Sequence, residues 1–226
     1  MRMVLLPILE KNMETKHSIR KQILSLRNAL PIHECNEKSS IIMQNVLSLL
    51  VVQKAEYVLC YAGYKSEVQT NYLIKELLRE GKKVYLPRVC GEEMNFYRIR
   101  TLIDLTEGYK GIPEPAAACT EQFTRTMWEK NKERVVMLLP GAAFSKNGAR
   151  IGYGKGYYDR YLSQIPCAER IALCYELQIV EDIPADVHDI PVTMIVTEEK
   201  IRHMIFRKNV NTLKYKSSEM LLEMRK

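Results

Sequence analysis

The sequence has none of the features that define a zinc-binding, secreted or membrane-spanning protein. Its six cysteines include no C-x-x-C pair, which argues against a zinc site, and no local motif marks any of them as a catalytic nucleophile. Unpatterned cysteines of this kind are typical of a reducing compartment. No apolar run approaches membrane-spanning length, and the N-terminal stretch is interrupted by Pro7 and lacks a small-residue cleavage site, so we expect no signal peptide. The sequence therefore predicts a cytoplasmic protein that does not bind membranes.

The sequence also lacks clustered basic residues, although its overall charge is positive. A net charge of +7 and a pI near 9.0 favour an anionic partner, which could be a nucleic acid or a polyanionic small molecule. The lysines and arginines are spread along the chain, whereas nucleic-acid-binding proteins concentrate them on one surface with exposed aromatics. We therefore expect small-molecule anions as ligands and no nucleic acid.

Strands alternate with helices in the expected secondary structure. Apolar runs bounded by Gly and Pro indicate strands, and apolar residues at helical spacing indicate helices. Strands are predicted over residues 57–61, 83–89, 94–99, 135–139, 171–175 and 194–197, and helices over 15–30, 34–51, 70–80 and 157–165. A loop is predicted over 108–116, because Pro113 and Pro115 exclude a helix and a central strand, and 119–132 has no clear assignment. The alternation predicts an α/β fold of three layers, with a mostly parallel central sheet and helices on both faces.

The length of the chain limits the number of domains. A chain of 226 residues with 46% hydrophobic content suits one α/β domain or two small ones. We expect an N-terminal extension over residues 1–15 and a single α/β domain over 16–206. Residues 207–226 are polar and basic with a weak helical pattern, which indicates a C-terminal tail or a peripheral helix.

One stretch, residues 138–162, combines the end of a strand, a glycine-rich loop and a helix. The loop begins after Pro140–Gly141 and carries four glycines with two basic residues: Gly148, Gly152, Gly154, Gly156, Arg150 and Lys155. Glycines let backbone N–H groups approach an anion, and a helix N-terminus adds partial positive charge, so the arrangement favours phosphate. The spacing matches neither the Walker A motif nor the dinucleotide fingerprint. A tight structural turn would use the same glycines.

Two other segments carry polar side chains with more than one interpretation. The first helix has four basic residues, Lys16, Arg20, Lys21 and Arg27, which the charge pattern assigns to a solvated basic face. Glu67 follows a break at the C-terminal end of the first predicted strand, where ligands bind in open α/β sheets. Its carboxylate could accept hydrogen bonds from a ligand, or it could lie in the first turn of the next helix, where the helix dipole favours it.

A set of motifs follows in a fixed order along residues 16–198. The longest is LPGAAFSKNGARIGYGKGYYDRYL, and the others are KHSIR, SEVQT, Leu86–Pro87–Arg88, Gly111–Ile112–Pro113–Glu114–Pro115 and His188–Asp189. This set resembles the 5-formyltetrahydrofolate cyclo-ligase family, also called methenyltetrahydrofolate synthetases. The family signature is P-G-x-x-F followed by G-x-R-x-G-x-G-x-G-Y-Y-D. The resemblance spans nearly the whole chain.

The resemblance implies a ligase reaction. In this family the N5-formyl group of folinic acid (5-formyltetrahydrofolate) is closed onto N10 at the expense of ATP, which yields 5,10-methenyltetrahydrofolate, ADP and phosphate. The formyl oxygen is first phosphorylated, since it is otherwise a poor leaving group. The resemblance further implies Mg²⁺ as the cofactor, ATP as a co-substrate, folinate with or without a polyglutamate tail as the substrate, and a monomeric protein.

The same resemblance implies roles for individual residues. The implied catalytic residues are Arg150, Lys16 and Tyr157. The implied ATP-binding residues lie in the first helix and the glycine-rich loop: Lys16, Arg20, Arg150, Gly152, Tyr153, Gly154, Lys155, Gly156, Tyr157 and Tyr158. The implied folate-binding residues are Glu67, Ala62, Gly111 and Tyr157. The implied metal ligands are Asp159 and Asp189, whose hard oxygen donors suit magnesium.

The sequence departs from the family pattern at two positions. Thr193 stands where the family often has a second acidic residue, so Asp189, water or phosphate oxygens would complete the metal shell. Lys110 precedes Gly111 where the family often has an aromatic residue. Outside this family, a sugar-phosphate isomerase or a CoA transferase on a related α/β scaffold would also bind phosphate, but would not need ATP.

Overall fold

The computed structural model describes residues 15–184 and 186–204. The predicted C-terminal tail lies outside these residues, as does all of the predicted N-terminal extension except Thr15. The boundaries of the single α/β domain therefore stay predictions. Within the described ranges, no helix has both the length and the apolar character needed to cross a membrane.

The described residues form six α-helices and twelve β-strands, joined by turns and short 3₁₀ helices. The helices are α1 (Lys16–Asn28), α2 (Ile32–Ser48), α3 (Leu50–Lys54), α4 (Asn71–Arg79), α5 (Arg125–Asn131) and α6 (Tyr157–Gln164). The first six strands are β1 (Tyr57–Leu59), β2 (Lys83–Cys90), β3 (Glu93–Ile99), β4 (Leu105–Glu107), β5 (Pro113–Pro115) and β6 (Val135–Leu139). The remaining six are β7 (Ala143–Ser145), β8 (Arg150–Ile151), β9 (Glu169–Leu173), β10 (Ile179–Val180), β11 (Met194–Val196) and β12 (Ile201–His203).

Seven strands form the main sheet, in the order β12-β11-β9-β6-β1-β2-β3. The five inner strands are parallel to their neighbours, and only the edge strands β12 and β3 pair in the antiparallel sense. The chain runs outward from β1 to β2 on one side, and from β6 to β9 and β11 on the other. The strand order thus reverses between β1 and β6, and the C-terminal ends of these two strands leave a crevice of the kind that binds ligands in open α/β sheets.

The sheet separates two hydrophobic layers, because successive residues of a strand point to opposite faces. Val58 and Leu138 belong to the core on one face, which α2, α3 and α4 cover. Leu59 and Leu139 belong to the core on the other face, which α5 and α6 cover. The predicted three-layer α/β fold with a mostly parallel sheet is confirmed.

A third, smaller core holds α1 against the rest of the protein. Ile19 and Ile23 on one side of α1 pack against Ala143 and Ile151 of a three-stranded sheet in the order β10-β7-β8. Because β7 follows directly after β6, this small sheet holds α1 beside the C-terminal end of the central strands. The helix that carries the basic residues is thereby placed next to the crevice.

Several local predictions were wrong at the level of short elements. The predicted loop 108–116 contains β5, which pairs with β4 in a two-stranded ladder. Pro113 and Pro115 therefore lie in an edge strand, where the N–H donors that proline lacks are not needed for a second neighbouring strand. The predicted helix 34–51 is two helices, because Leu49 has extended backbone (φ −68°, ψ 124°). Apolar residues continue at helical spacing across this break, since both helices pack on the same core.

The central strand β6 provides a test of the core. Leu138 is fully buried, and we expect Leu138→Ala to lower the free energy of unfolding by about 2–5 kcal/mol through lost burial and an unfilled cavity. Leu50 is 67% exposed, so the matched Leu50→Ala should change it by less than about 0.5 kcal/mol. Urea denaturation of both variants measures the difference, and equal costs would contradict the burial assignments.

Candidate active site

A cavity of about 760 Å³ lies at the C-terminal ends of β1, β2 and β6, where α1 and the glycine-rich loop close it. It brings together almost all of the site residues implied by the sequence: Lys16, Arg20, Ala62, Glu67, Arg150, Gly152, Tyr153, Gly154, Lys155, Gly156, Tyr157, Tyr158, Asp159 and Asp189. Gly111 is the exception, because its neighbours Lys110 and Ile112 line the cavity and Gly111 itself does not.

The glycine-rich loop has backbone conformations that only glycine adopts readily. Gly154 and Gly156 have φ values of 94° and 65°, in the left-handed region. Gly156 immediately precedes α6, and no side chain caps the free N–H groups of that helix. A glycine loop that leads into an uncapped helix N-terminus favours an anion at this end of the cavity.

The basic residues of α1 contradict the expectation of a solvated face. Lys16 and Arg20 line the cavity, and Arg27 is only 3% exposed, whereas Lys21 alone is fully on the solvent side. Arg20 Nε donates to the carbonyl of Gly152 at 2.8 Å, which ties α1 to the glycine-rich loop. The expectation failed because a pattern of charges cannot show what packs against the helix.

Arg27 lines the cavity, although the sequence analysis did not select it as a site residue. Its guanidinium donates to Ser66 Oγ at 3.1 Å, to the carbonyl of Gly141 at 3.1 Å and to Tyr153 Oη at 2.8 Å. A signal was present, because residues 16, 20 and 27 are separated by four and seven positions and so lie on one side of a helix.

Glu67 lines the cavity with a buried carboxylate. Its carboxylate is almost completely buried and accepts hydrogen bonds from the backbone N–H of Tyr64 at 3.0 Å and from Tyr153 Oη at 2.5 Å. Burial raises the pKa of Glu67, against the lowering effects of Tyr153, Arg27 and the Tyr64 N–H. Since α4 begins only at Asn71 and none of its N–H groups bonds this carboxylate, the helix-dipole interpretation is wrong.

Aspartate side chains pair with two cations that line the cavity, Arg150 and Lys16. Arg150 is buried and donates to Asp159 Oδ2 at 3.0 Å and to Asp159 Oδ1 at 3.2 Å. Lys16 Nζ contacts Asp186 Oδ2 at 2.6 Å and Asp189 Oδ2 at 2.5 Å. Partial burial acts to lower the pKa of Lys16, but its bonds to these two aspartates raise it overall. Asp186, which the sequence analysis did not select, therefore belongs to the same charged cluster.

The cavity lining offers two kinds of group. The glycine-rich loop, the start of α6 and the cations Lys16, Arg20 and Arg150 suit an anion such as phosphate, and this part of the lining is called the phosphate end. The buried Glu67 carboxylate suits a ligand with N–H donors. A reaction between a phosphorylated compound and a ring with N–H groups fits this division.

Comparison with known proteins identifies the family. The model of the 5-formyltetrahydrofolate cyclo-ligase family matches residues 12–198. The chain belongs to this family. Its relatives include 5-formyltetrahydrofolate cyclo-ligases from Saccharomyces cerevisiae, with 30% identity over 81% of this chain and 95% of the relative, and from Haemophilus influenzae, with 28% identity over 80% and 96%.

Solved structures agree with this cyclo-ligase assignment. The 5,10-methenyltetrahydrofolate synthetase of Aquifex aeolicus has a TM-score of 0.73 and 34% identity, over 86% of this chain and 95% of that one. The synthetase of Mycoplasma pneumoniae has a TM-score of 0.65 and 25% identity, over 82% and 99%. The protein is therefore an enzyme of the ligase class, as the sequence predicted, while the roles of its individual site residues stay predictions.

Two further positions of the family pattern make hydrogen bonds within the protein. Thr193 does not line the cavity, and its hydroxyl accepts from the Arg170 N–H at 2.9 Å and donates to the Arg170 carbonyl at 3.2 Å. Tyr157 lines the cavity, and its hydroxyl donates to the carbonyl of Gly91 at 3.2 Å. An acidic side chain at position 193 would have to leave the Arg170 backbone to reach the cavity.

The three hydrogen bonds of Arg27 predict that its replacement strongly destabilises the protein, although most residues of α1 are exposed or partly exposed. We expect Arg27→Ala to lower the free energy of unfolding of this cyclo-ligase by about 3 kcal/mol, because it removes three charge-assisted hydrogen bonds and the packing of a buried side chain. Lys21→Ala on the same helix is the control and should cost less than about 0.5 kcal/mol, since Lys21 is exposed. Thermal or urea unfolding measures the loss of stability in both variants. Similar small losses in Arg27→Ala and Lys21→Ala would show that Arg27 belongs to a solvated face.

Proposed function

We propose that this cyclo-ligase converts 5-formyltetrahydrofolate to 5,10-methenyltetrahydrofolate with consumption of ATP and release of ADP and phosphate. The observation that carries the proposal is one cavity lined both by the glycine-rich loop with its cations and by the buried Glu67 carboxylate. A protein that bound only a sugar phosphate or a CoA thioester would not need a buried carboxylate to accept ring N–H groups.

Glu67 is proposed to hold the pterin ring of the folate. An ionised carboxylate has about four lone-pair sites, and the protein uses two of them through Tyr64 and Tyr153. The remaining two match the ring N–H and the exocyclic amine on the adjacent carbon of a pterin. Ala62 follows the same strand and supplies backbone and a methyl group to this end of the cavity.

Lys16, Arg20 and Arg150 are proposed to bind the triphosphate of ATP, together with the backbone of the glycine-rich loop. Charge-assisted hydrogen bonds from lysine and arginine to phosphate are among the strongest in proteins. In the free protein Lys16 and Arg150 are paired with aspartates. Triphosphate offers both cations a replacement partner, so binding of nucleotide need not leave a buried charge unpaired.

The chemistry requires positioning more than covalent participation by the protein. The formyl oxygen attacks the γ-phosphorus of ATP, the bond to the β,γ-bridging oxygen breaks, and ADP leaves. The resulting phosphate ester is attached to a carbon that carries iminium character through N5. N10 adds to that carbon and gives up its proton, and phosphate departs with the former formyl oxygen. Positioning and neutralisation of the developing negative charge by Arg150 and Lys16 supply the catalysis, as in other phosphoryl transfers.

Asp159 and Asp189 are proposed as the protein ligands of Mg²⁺. Asp159 accepts from the backbone N–H of Ile190 at 3.3 Å, so the two aspartates approach one another through adjacent residues. Among the described residues no group of three or more acidic, His or Cys side chains could hold a metal. This donor set fits magnesium, which is commonly held by one or two carboxylates plus substrate phosphates. When bound, the ion would neutralise phosphate charge and polarise the transferred group.

The remaining predictions concern the setting of the reaction. We propose folinate and ATP as the ligands, with no nucleic acid partner. A monomeric state and a cytoplasmic location stay predictions of the sequence alone.

The decisive experiment mixes purified protein with MgATP and folinate and follows the absorbance of the methenyl product. We expect product only when protein, ATP, magnesium and folinate are all present, with one ADP formed for each methenyl group. ATP hydrolysis that does not respond to folinate, or no product from folded protein, would refute the proposal. Product formed without ATP would favour a different enzyme class.

The metal assignment predicts a specific defect in Asp159→Asn. The variant keeps the size of the side chain but loses its charge, so we expect turnover to fall roughly tenfold or more and the magnesium concentration for half-maximal activity to rise. Asp182→Asn is the matched control, because Asp182 is exposed and does not line the cavity. Magnesium titrations at fixed ATP compare the two, and an unchanged requirement in Asp159→Asn would place the metal elsewhere.

A further inference from the structure

Tyr61 has a buried hydroxyl that no described residue uses. It lies two residues after β1, lines the cavity and is 3% exposed, and its hydroxyl has no hydrogen-bond partner. Buried polar groups are almost always paired, because an unpaired one loses its water without compensation. An unpaired hydroxyl on a residue that lines a ligand cavity therefore indicates a partner on the ligand.

The other unpaired groups do not share this position. Among the described residues, four buried side chains have an unpaired polar atom: Tyr61, Trp128, Arg150 and Tyr161. Trp128 and Tyr161 belong to the core beneath the sheet and do not line the cavity. Arg150 does line it, but at the phosphate end beside Asp159. Tyr61 is thus the one unpaired hydroxyl among them that can serve a ligand in the cavity.

The backbone of Tyr61 is held in a tight loop with Glu67. Thr70 Oγ1 donates to the Tyr61 carbonyl at 2.6 Å and accepts from the Gly63 N–H at 3.0 Å, which closes the loop that carries Glu67. Burial raises the pKa of Tyr61 well above its usual value, and the nearby Glu67 charge adds to the effect. The hydroxyl therefore keeps its proton at neutral pH and is available as a donor.

The pterin ring presents a matching row of groups along one edge. Its exocyclic amine and adjacent ring N–H are donors, and the neighbouring ring carbonyl oxygen is an acceptor. A carboxylate can accept from the two donors but cannot satisfy the carbonyl, which needs a donor of its own. In the proposed function the cavity binds this ring, but none of the residues assigned so far donates a hydrogen bond to its carbonyl oxygen.

We propose that the Tyr61 hydroxyl donates a hydrogen bond to the pterin carbonyl oxygen, beside the donors that Glu67 accepts, and so makes Tyr61 a specificity-determining residue. The inference rests on the proposed function of the cavity. Tyr61 and Glu67, which lie in one loop, together recognise the amide edge of the ring in this proposal. A site that leaves a buried donor unpaired discriminates against ligands that lack the acceptor.

The test uses Tyr61→Phe and a ligand that differs at one atom. Binding of folinate and of its 4-thioxo analogue, in which sulfur replaces only the ring carbonyl oxygen, is measured by calorimetry with a non-hydrolysable ATP analogue present. Sulfur is a weak acceptor. We expect Tyr61→Phe to weaken folinate roughly five- to tenfold and to leave the affinity for the thioxo analogue nearly unchanged.

Tyr161→Phe is the matched control, since it removes another buried and unpaired hydroxyl outside the cavity. It should bind both ligands as the parent does. Unfolding experiments on the free proteins add a second measurement. Tyr61→Phe should be at least as stable as the parent, because the hydroxyl it removes has no partner among the described residues. A loss of stability would reveal an internal partner and overturn the inference.

The remaining outcomes separate this inference from the proposed function. Unchanged folinate affinity in Tyr61→Phe would overturn the inference. Tighter binding of only the bulkier thioxo analogue by this variant would show that Tyr61 acts sterically, and would also overturn it. Equal weakening of both ligands would also overturn it. In each of these cases, methenyl product formed by the parent with MgATP would leave the proposed function intact, whereas absence of that product would refute the function itself.

Discussion

The cavity depends on a chain of hydrogen bonds that runs from Arg27 through Tyr153 to Glu67. Arg27 lies on α1, Tyr153 in the glycine-rich loop and Glu67 after β1, so the chain joins three segments that are distant in sequence. A buried guanidinium and a buried carboxylate would each be costly alone. The Tyr153 hydroxyl satisfies both, since it accepts from one and donates to the other. These bonds hold α1, the glycine-rich loop and the segment after β1 together around the cavity.

The same principle governs the phosphate end. Lys16 and Arg150 line the cavity, and Asp186, Asp189 and Asp159 pair with them. The charges of these two cations are therefore neutralised within the protein. In the proposed function, nucleotide and metal would exchange with these internal partners.

Local sequence patterns predicted the elements that depend on local interactions. The strand Val135–Leu139 and the helix that begins at Tyr157 were predicted because an apolar run and helical spacing are visible without the fold. The short ladder that contains Pro113 and the break at Leu49 were missed. Both depend on whether a neighbouring strand or core is present, and no window of a few residues contains that information.

The sequence by itself determined the alternation of strands and helices, the glycines whose left-handed conformations shape the loop, and the family. These features are local or are written as an ordered set of motifs. Only the tertiary structure decided that Arg27 is buried and that the Tyr61 hydroxyl has no partner within residues 15–184 and 186–204. It also decided that Thr193 bonds the Arg170 backbone. The bond from Arg27 to Tyr153 spans 126 positions of the chain, and whether such a pair meets is decided by packing rather than by the residues around either one.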